Sequence, residues 1–158
     1  MTNNDVLRRL RFALNLSDAE VIRLCKLVNV DLDAAKLLAY LEREGQFGFE
    51  MCPDSVVEGF LDGLVLHRRG PREPSEGARP RDDTFDNNLI LKRLRIALEL
   101  KEADMLQLLR LGGQDFSPSE LSALFRSRSH KHYRPCMDQI LRNFIKGLTI
   151  RLRGVGGD

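Results

Sequence analysis

"LRRLRFALNL" at residues 7–16 returns as "LKRLRIALEL" at residues 91–100, 84 positions further along a chain of 158 residues. The same shift pairs residues 3–70 with residues 87–154 without a gap, and roughly a third of the matched pairs are identical. Chance rarely keeps one register over such a length, so we interpret the chain as an internal duplication. The identical pairs include Asn3 and Asn87, Asn4 and Asn88, Cys52 and Cys136, Asp54 and Asp138, Phe60 and Phe144, and Gly63 and Gly147.

Each copy has the sequence pattern of about four helices. The apolar residues of the first helix recur at helical spacing and not in strand alternation; they are Val6, Leu7, Leu10, Ala13 and Leu14. "SDAE" at 17–20 and "SPSE" at 117–120 have the form of a capping box, which marks a helix start, and Pro118 suits a first helical position. A further helix opens at "CPDS", residues 52–55. The fold class predicted is therefore all-α, in two tandem repeats.

Composition divides the chain into three parts. Residues 1–70 form the first helical repeat module and residues 87–158 the second. Between them, residues 71–86 read "PREPSEGARPRDDTFD", which is rich in proline, glycine and charge and is predicted to be a linker. Two related modules that dock would mimic a symmetric dimer, so we expect a pseudo-twofold arrangement.

The bulk properties predict a soluble cytoplasmic protein. No apolar run approaches the roughly 18 residues of a membrane span, and the N-terminal residues lack the long apolar stretch of a signal peptide. Three cysteines at irregular spacing do not make a disulfide framework. We expect no membrane association, no metal and no cofactor.

Charge is divided unevenly between the repeats. Residues 1–70 hold 9 basic and 11 acidic side chains, net −2, whereas residues 87–158 hold 13 and 7, net +6. A basic cluster of that size attracts anionic partners. The predicted partners are nucleic acid phosphates or an acidic protein surface.

The segment "RSRSHKHYRPC", residues 126–136, is the strongest candidate for that contact. Basic side chains can bind phosphates, and an interleaved aromatic ring can stack on a base. The candidate residues for anion or partner binding are Arg126, Arg128, Lys131, His132, Tyr133 and Arg134, with Arg151 and Arg153 near the C-terminus. Two other interpretations stay open: a solvated basic loop, and a metal site built on the histidines and Cys136, whose spacing matches no common zinc site.

The repeat-matched cysteines and aspartates have structural and chemical interpretations. Cys52 and Cys136 stand beside a helix start, where the helix dipole can lower a thiol pKa, but the nearby Asp54 and Asp138 oppose thiolate formation. We therefore predict that Cys52 and Cys136 are buried structural residues, as we also expect for Cys25. The two aspartates are interpreted as first-turn carboxylates, with a catalytic pair as the alternative.

The repeat-matched glycines and arginines raise questions of packing. A mid-helix glycine costs about 1 kcal/mol against alanine, so Gly63 and Gly147 indicate close helix approach, either between the copies or within one copy. The first-helix arginines are Arg9 and Arg11 in the first copy and Arg93 and Arg95 in the second. We expect them to pair with acidic residues of the other repeat, with a shared anion-binding band as the alternative.

Several of these motifs together resemble the YehS-like family of small bacterial proteins. The motifs are Asn87-Asn88 followed by "LKRLRIALEL", "HKHYRPCMDQ" ahead of "FIKGL", and "CPDSVVEGFLDGL" in the first copy. The resemblance covers both repeats and implies a bacterial, cytosolic, helical protein in which a domain of unknown function is repeated twice. It implies no activity and no catalytic residue.

Two hypotheses about function follow. The first is a non-enzymatic interaction or regulatory protein whose basic second repeat contacts an acidic protein or nucleic acid. The second is an enzyme or small-ligand-binding protein with a site between the two repeats. The sequence has no nucleophile–base pair, phosphate loop or metal constellation to favour an enzyme.

Overall fold

The computed structural model describes residues 1–71 and 84–154, which form eight helices and no strand. The predicted all-α class in two repeats of four helices is confirmed. The first repeat holds α1 (Asn3–Ala13), α2 (Asp18–Leu27), α3 (Ala34–Leu41) and α4 (Asp54–Arg69). The second holds α5 (Asn87–Ala97), α6 (Glu102–Leu111), α7 (Pro118–Ala123) and α8 (Asp138–Arg153).

Short polar residues begin most of these helices, because a side-chain oxygen can accept from a backbone N–H that has no partner inside the helix. Ser17 accepts from the N–H of Glu20, and Ser117 accepts from the N–H of Glu120, each in a capping box. Asp33 caps α3 through the N–H of Lys36. The capping boxes at 17–20 and 117–120 therefore lie where the sequence predicts them.

Each repeat folds around the contact of its second helix with its last helix. α2 packs along α4, and α6 packs along α8. α3 closes one side of the first repeat against α1 and α2, and α7 packs against α6 in the second. The interior is built from repeat-matched residues that are fully buried; these include Leu7 and Leu91, Leu10 and Leu94, Leu37 and Leu121, and Phe60 and Phe144. The duplication thus preserves the core.

The two repeats dock through two equivalent contacts, α1 with α8 and α4 with α5. The amino group of Met1 contacts Asp138 at the start of α8, and Arg153 at its end covers the ring of Phe12. α1 and α8 therefore run parallel. Because α5 matches α1 and α4 matches α8 in the repeat, the two contacts are related by the predicted pseudo-twofold axis.

The predicted linker, residues 71–86, lies mostly outside the described residues, since residues 72–83 are not described. The division into modules at 1–70 and 87–158 stays a prediction. Within residues 1–71 and 84–154, no helix combines the length and the apolar composition needed to cross a membrane.

Candidate anion-binding surface

A pair of asparagines holds the segment between α3 and α4. The Asn4 side chain, which is 1% exposed, donates to the carbonyls of Tyr40 (3.0 Å) and Glu50 (2.7 Å) and accepts from the N–H of Cys52 (3.0 Å). Asn3 donates to the carbonyl of Cys52. These bonds satisfy the backbone of a segment that has no secondary structure of its own.

The second repeat makes the same bonds and so presents its basic segment on the same scaffold. Asn88 donates to the carbonyls of Leu124 (2.9 Å) and Arg134 (3.0 Å) and accepts from the N–H of Cys136 (2.8 Å). Asn87 donates to the carbonyl of Cys136. The basic segment is therefore an anchored loop, named here the α7–α8 loop, residues 124–137.

Several of the predicted anion-binding side chains of the α7–α8 loop already have partners. Arg128 forms an ion pair with Asp86, and Arg134 forms one with Glu120 at 3.6 Å. Arg134 also lies 5.3 Å from the centre of the Phe116 ring. Arg128 and Arg134 are half-exposed, so these ion pairs remain open to solvent.

The remaining loop candidates lie close together at the tip. Arg126 donates to the carbonyl of His132 at 3.3 Å, and the His130 and His132 rings are 5.7 Å apart. Lys131 is exposed, and Tyr133 is half-buried. No group of three or more His, Cys, Asp or Glu side chains within residues 1–71 and 84–154 could hold a metal ion.

The two C-terminal candidates lie away from the loop, at the end of α8. Arg151 contacts Gln107 and lies 3.8 Å from a carboxylate oxygen of Asp104. Arg153 lies 4.6 Å from the centre of the Phe12 ring in the other repeat. The structure therefore does not join Arg151 and Arg153 to the α7–α8 loop in one cluster.

The three cysteines are buried, which is the environment predicted for them. Burial raises the pKa of Cys25 to about 11 and the pKa of Cys52 and of Cys136 to about 12. Thiols with such values hold almost no nucleophilic thiolate at neutral pH.

The first-turn aspartates accept hydrogen bonds from the matched asparagines. Asn3 donates to Asp54 at 2.7 Å, and Asn87 donates to Asp138 at 2.8 Å. Hydrogen bonds from the Met1 amino group and from Asn87 lower the pKa of Asp138. Both carboxylates thus help to anchor the start of their helix.

The matched glycines bring helices together within each repeat. A Cβ atom at Gly63 would lie 1.9 Å from the Leu24 carbonyl oxygen in α2, and a Cβ atom at Gly147 would lie 1.8 Å from the Leu108 oxygen in α6. Of the two packing interpretations, approach within one copy is therefore correct. The glycines allow α4 and α8 to approach the neighbouring helix backbone.

The expectation that the first-helix arginines pair across the repeats is correct for Arg93 and wrong for two others. Arg93 is 8% exposed and binds Asp62 of α4 at 2.8 Å. Arg11 instead binds Asp18 at 2.7 Å in its own repeat, and Arg95 covers the ring of Phe125. Arg11 and Arg95 thus both contact residues of their own repeat.

A second group of basic side chains, which the sequence analysis missed, lies along α8, the helix that contacts α1. Along α4, the matched positions hold Asp54, Glu58, Asp62 and Arg69; along α8, they hold Asp138, Arg142, Lys146 and Arg153. Two acidic side chains in α4 are thus replaced by two basic side chains in α8. A comparison of charge at matched positions of the two copies would have found this change.

Charge divergence between the repeats is concentrated in two places. Residues 42–50 carry a net charge of −2, whereas the matched residues 126–134 carry +4. Helix α4 carries −1 and α8 carries +3, while residues 3–41 and 87–125 differ by a single charge. The scaffold is therefore shared, and the charge of the loop and of the last helix differs.

These features define an all-helical protein of two docked tandem repeats with a basic second repeat. The chain belongs to the family described as "Protein of unknown function (DUF1456)", whose model matches it twice, at residues 3–70 and 87–154. The two matched segments coincide with the internal repeat.

The chain is also similar to "Uncharacterized protein YehS" of Escherichia coli (strain K12). The two are 38% identical over 151 residues, which covers 96% of each chain. No solved structure matches the chain. The YehS-like resemblance noted from the sequence is confirmed.

Proposed function

We propose that the protein is a non-enzymatic interaction protein whose basic second repeat contacts an anionic macromolecule, with nucleic acid phosphates as the first partner to test. The observation that supports this proposal is the concentration of the charge difference in the α7–α8 loop and in α8. The two copies have the same anchoring asparagines and the same core, but the second copy is strongly basic. A concentration of basic side chains is typical of a surface that binds anionic partners.

The ion pairs of the loop do not prevent such a contact. Arg128 with Asp86 and Arg134 with Glu120 are exposed to solvent, and exposed pairs contribute only about 0–1 kcal/mol. Hydrogen bonds from a charged donor to a phosphate are comparatively strong. A phosphate group can therefore displace either carboxylate at little cost, while Lys131 extends from the loop tip.

Salt dependence tests this proposal, because each phosphate that a protein neutralises releases counterions. Labelled oligonucleotides of about 20 nucleotides, one duplex and one single-stranded, are titrated at about 50 mM and about 200 mM salt. Four phosphate contacts predict a log–log slope of about −3 to −4 on the duplex. Replacing Arg126, Arg128, Lys131 and Arg134 together by Ala should flatten that slope and weaken binding to every sequence alike.

The helical circular dichroism of the quadruple variant should match that of the wild type, because these four side chains lie outside the buried core. A useful control replaces Arg110 by Ala, which removes one exposed charge of the second repeat outside the loop. If neither oligonucleotide binds below about 100 μM at low salt, nucleic acid is not the partner. The partner to test next is then a protein with an acidic surface.

The second hypothesis, a ligand site between the repeats, is supported by one observation. Basic side chains concentrate where α1 contacts α8. This observation supports a ligand-binding protein and not an enzyme, because the α1–α8 contact presents no nucleophile with an adjacent base.

A further inference from the structure

The segment between α3 and α4, named here the α3–α4 loop, residues 42–53, has charges opposite to those of the α7–α8 loop at matched positions. Three exposed carboxylates of the first repeat stand where the second repeat has guanidinium groups; the matched pairs are Glu42 and Arg126, Glu44 and Arg128, and Glu50 and Arg134. Residues 42–50 therefore carry a net charge of −2 and residues 126–134 carry +4. The two loops are electrostatically complementary surfaces on one scaffold.

The first repeat also exposes three large apolar side chains at the α3–α4 loop and at α3. Phe47 is fully exposed, Met51 is 61% exposed and Leu38 is 57% exposed. The N–H of Glu50 donates to the carbonyl of Ala39 (3.2 Å), which brings Met51 next to the end of α3 where Leu38 lies. The matched positions of the second repeat hold Lys131, Pro135 and Ser122. Clustered apolar side chains in water are typical of a protein interaction surface.

Both loops lie at the same end of the molecule, called here the loop end. The Asn3 side chain donates to Asp54 at 2.7 Å, and the Asn87 side chain donates to Asp138 at 2.8 Å. The Met1 amino group contacts Asp138 at 2.6 Å. The starts of α1, α4, α5 and α8 are therefore together, and each loop leads directly into α4 or α8. The pseudo-twofold axis relates the two loops across this end.

We propose that a second copy of the chain docks on the loop end, with the α3–α4 loop of each copy against the α7–α8 loop of the other. A twofold axis between the copies forms both contacts at once, as in an isologous dimer. Each contact brings carboxylates to guanidinium groups, and the Phe47 ring can lie on a cation of the partner. A second copy fits this surface because the same chain carries both complementary loops.

The ion pairs within each loop are compatible with this docking. Glu50 pairs with Lys36 at 2.8 Å, and Arg134 pairs with Glu120 at 3.6 Å, each within its own repeat. Exposed pairs of this kind are weak and can exchange partners. The inference goes beyond the proposed function and shares one surface with it, so an anionic macromolecule and a second copy compete for the α7–α8 loop.

Sedimentation velocity of the full chain tests the dimer at protein concentrations from about 5 μM to about 500 μM, a range suited to a weak interface. The wild type should pass from monomer to dimer across this range at about 50 mM salt. The dimer should dissociate more readily at about 500 mM salt, because counterions screen exposed charges. Phe47→Ala, which removes the exposed ring without a change of charge, should weaken the dimer at least about fivefold.

A charge exchange between the loops identifies the interface. Glu42→Arg with Glu44→Arg makes both loops basic, and Arg126→Glu with Arg128→Glu makes both loops acidic. Each double variant alone should dimerise at least about tenfold more weakly than the wild type, because like charges then face each other. An equal mixture of the two variants should form a heterodimer, because every contact in it joins a basic loop to an acidic one.

Asp18→Arg with Glu102→Arg is the matched control. It changes the net charge by the same amount as the first double variant, but its residues follow the other ends of α1 and α5, away from the loop end. Its dimer should be as strong as that of the wild type. Helical circular dichroism of each variant should match that of the wild type, because the exchanged loop residues lie outside the buried core.

Four results would overturn the inference. They are a wild type that stays monomeric at about 500 μM, double variants that dimerise as strongly as the wild type, double variants that stay monomeric when mixed, and a control variant that loses the dimer. None of these measurements uses nucleic acid, so failure of the dimer and failure of the proposed function are distinguishable.

Discussion

At the scale of single residues, Asn4 and Asn88 hold the two interhelix segments in place. Each amide side chain bonds three backbone groups that are otherwise without secondary structure. Asparagine is suited to this task because its amide both donates and accepts. The basic loop of the second repeat therefore starts and ends at positions determined by one side chain.

We predict that Asn4→Ala lowers the free energy of unfolding by about 2–4 kcal/mol, because it leaves buried backbone groups without partners. Asn88→Ala removes the same bonds at a less buried position, where water can replace them, and should cost less. Urea denaturation of both variants measures the difference. Equal and small effects would show that the asparagines do not stabilise the fold.

At the scale of the helices, Gly63 and Gly147 allow the last helix of each repeat to lie against the second. The contact is with a carbonyl oxygen of the opposite backbone, which a rotamer change cannot relieve. Close backbone approach therefore explains why glycine stands in the middle of both long helices despite its low helix propensity.

We predict that Gly63→Ala destabilises the protein by roughly 2–4 kcal/mol, although alanine is the better helix former by about 1 kcal/mol. Ser55→Ala, at an exposed position of the same helix, should change stability little. The midpoint of urea denaturation compares the two variants. If Gly63→Ala were neutral, α2 and α4 could separate without loss of packing energy.

At the scale of the whole molecule, a largely buried ion pair joins the two repeats where α4 contacts α5. Arg93 has a side chain only 10% exposed, and its partner is the Asp62 carboxylate of the other repeat. Removing one partner of a largely buried pair leaves an uncompensated charge. This pair should therefore matter more than the exposed ion pairs elsewhere on the molecule.

We predict that Asp62→Lys lowers the free energy of unfolding by about 1–3 kcal/mol, a value reduced from that of a fully buried pair because Asp62 is partly exposed. Asp115→Lys makes the same change in the Arg110–Asp115 pair, whose side chains are 73% and 80% exposed, and should cost much less. Equal losses in urea denaturation would mean that the Arg93–Asp62 pair does not stabilise the docking of the repeats.

The sequence by itself determined the helices, the repeat and the capping boxes at 17–20 and 117–120. Apolar spacing, caps and self-similarity are local signals, readable over a few residues or by one shift of the chain. The uneven charge of the repeats and the burial of Cys52 and Cys136 were predictable for the same reason.

Only the tertiary structure decided which side chains meet. Arg93 pairs across the repeats while Arg11 does not, although both stand in the same ten-residue motif, because the partner of each depends on which helix packs beside it. The role of Gly63 and the contact of the basic helix α8 with α1 likewise depend on helices that are distant in sequence. Local pattern specifies the elements, whereas contacts between elements arise from the packing of the whole chain.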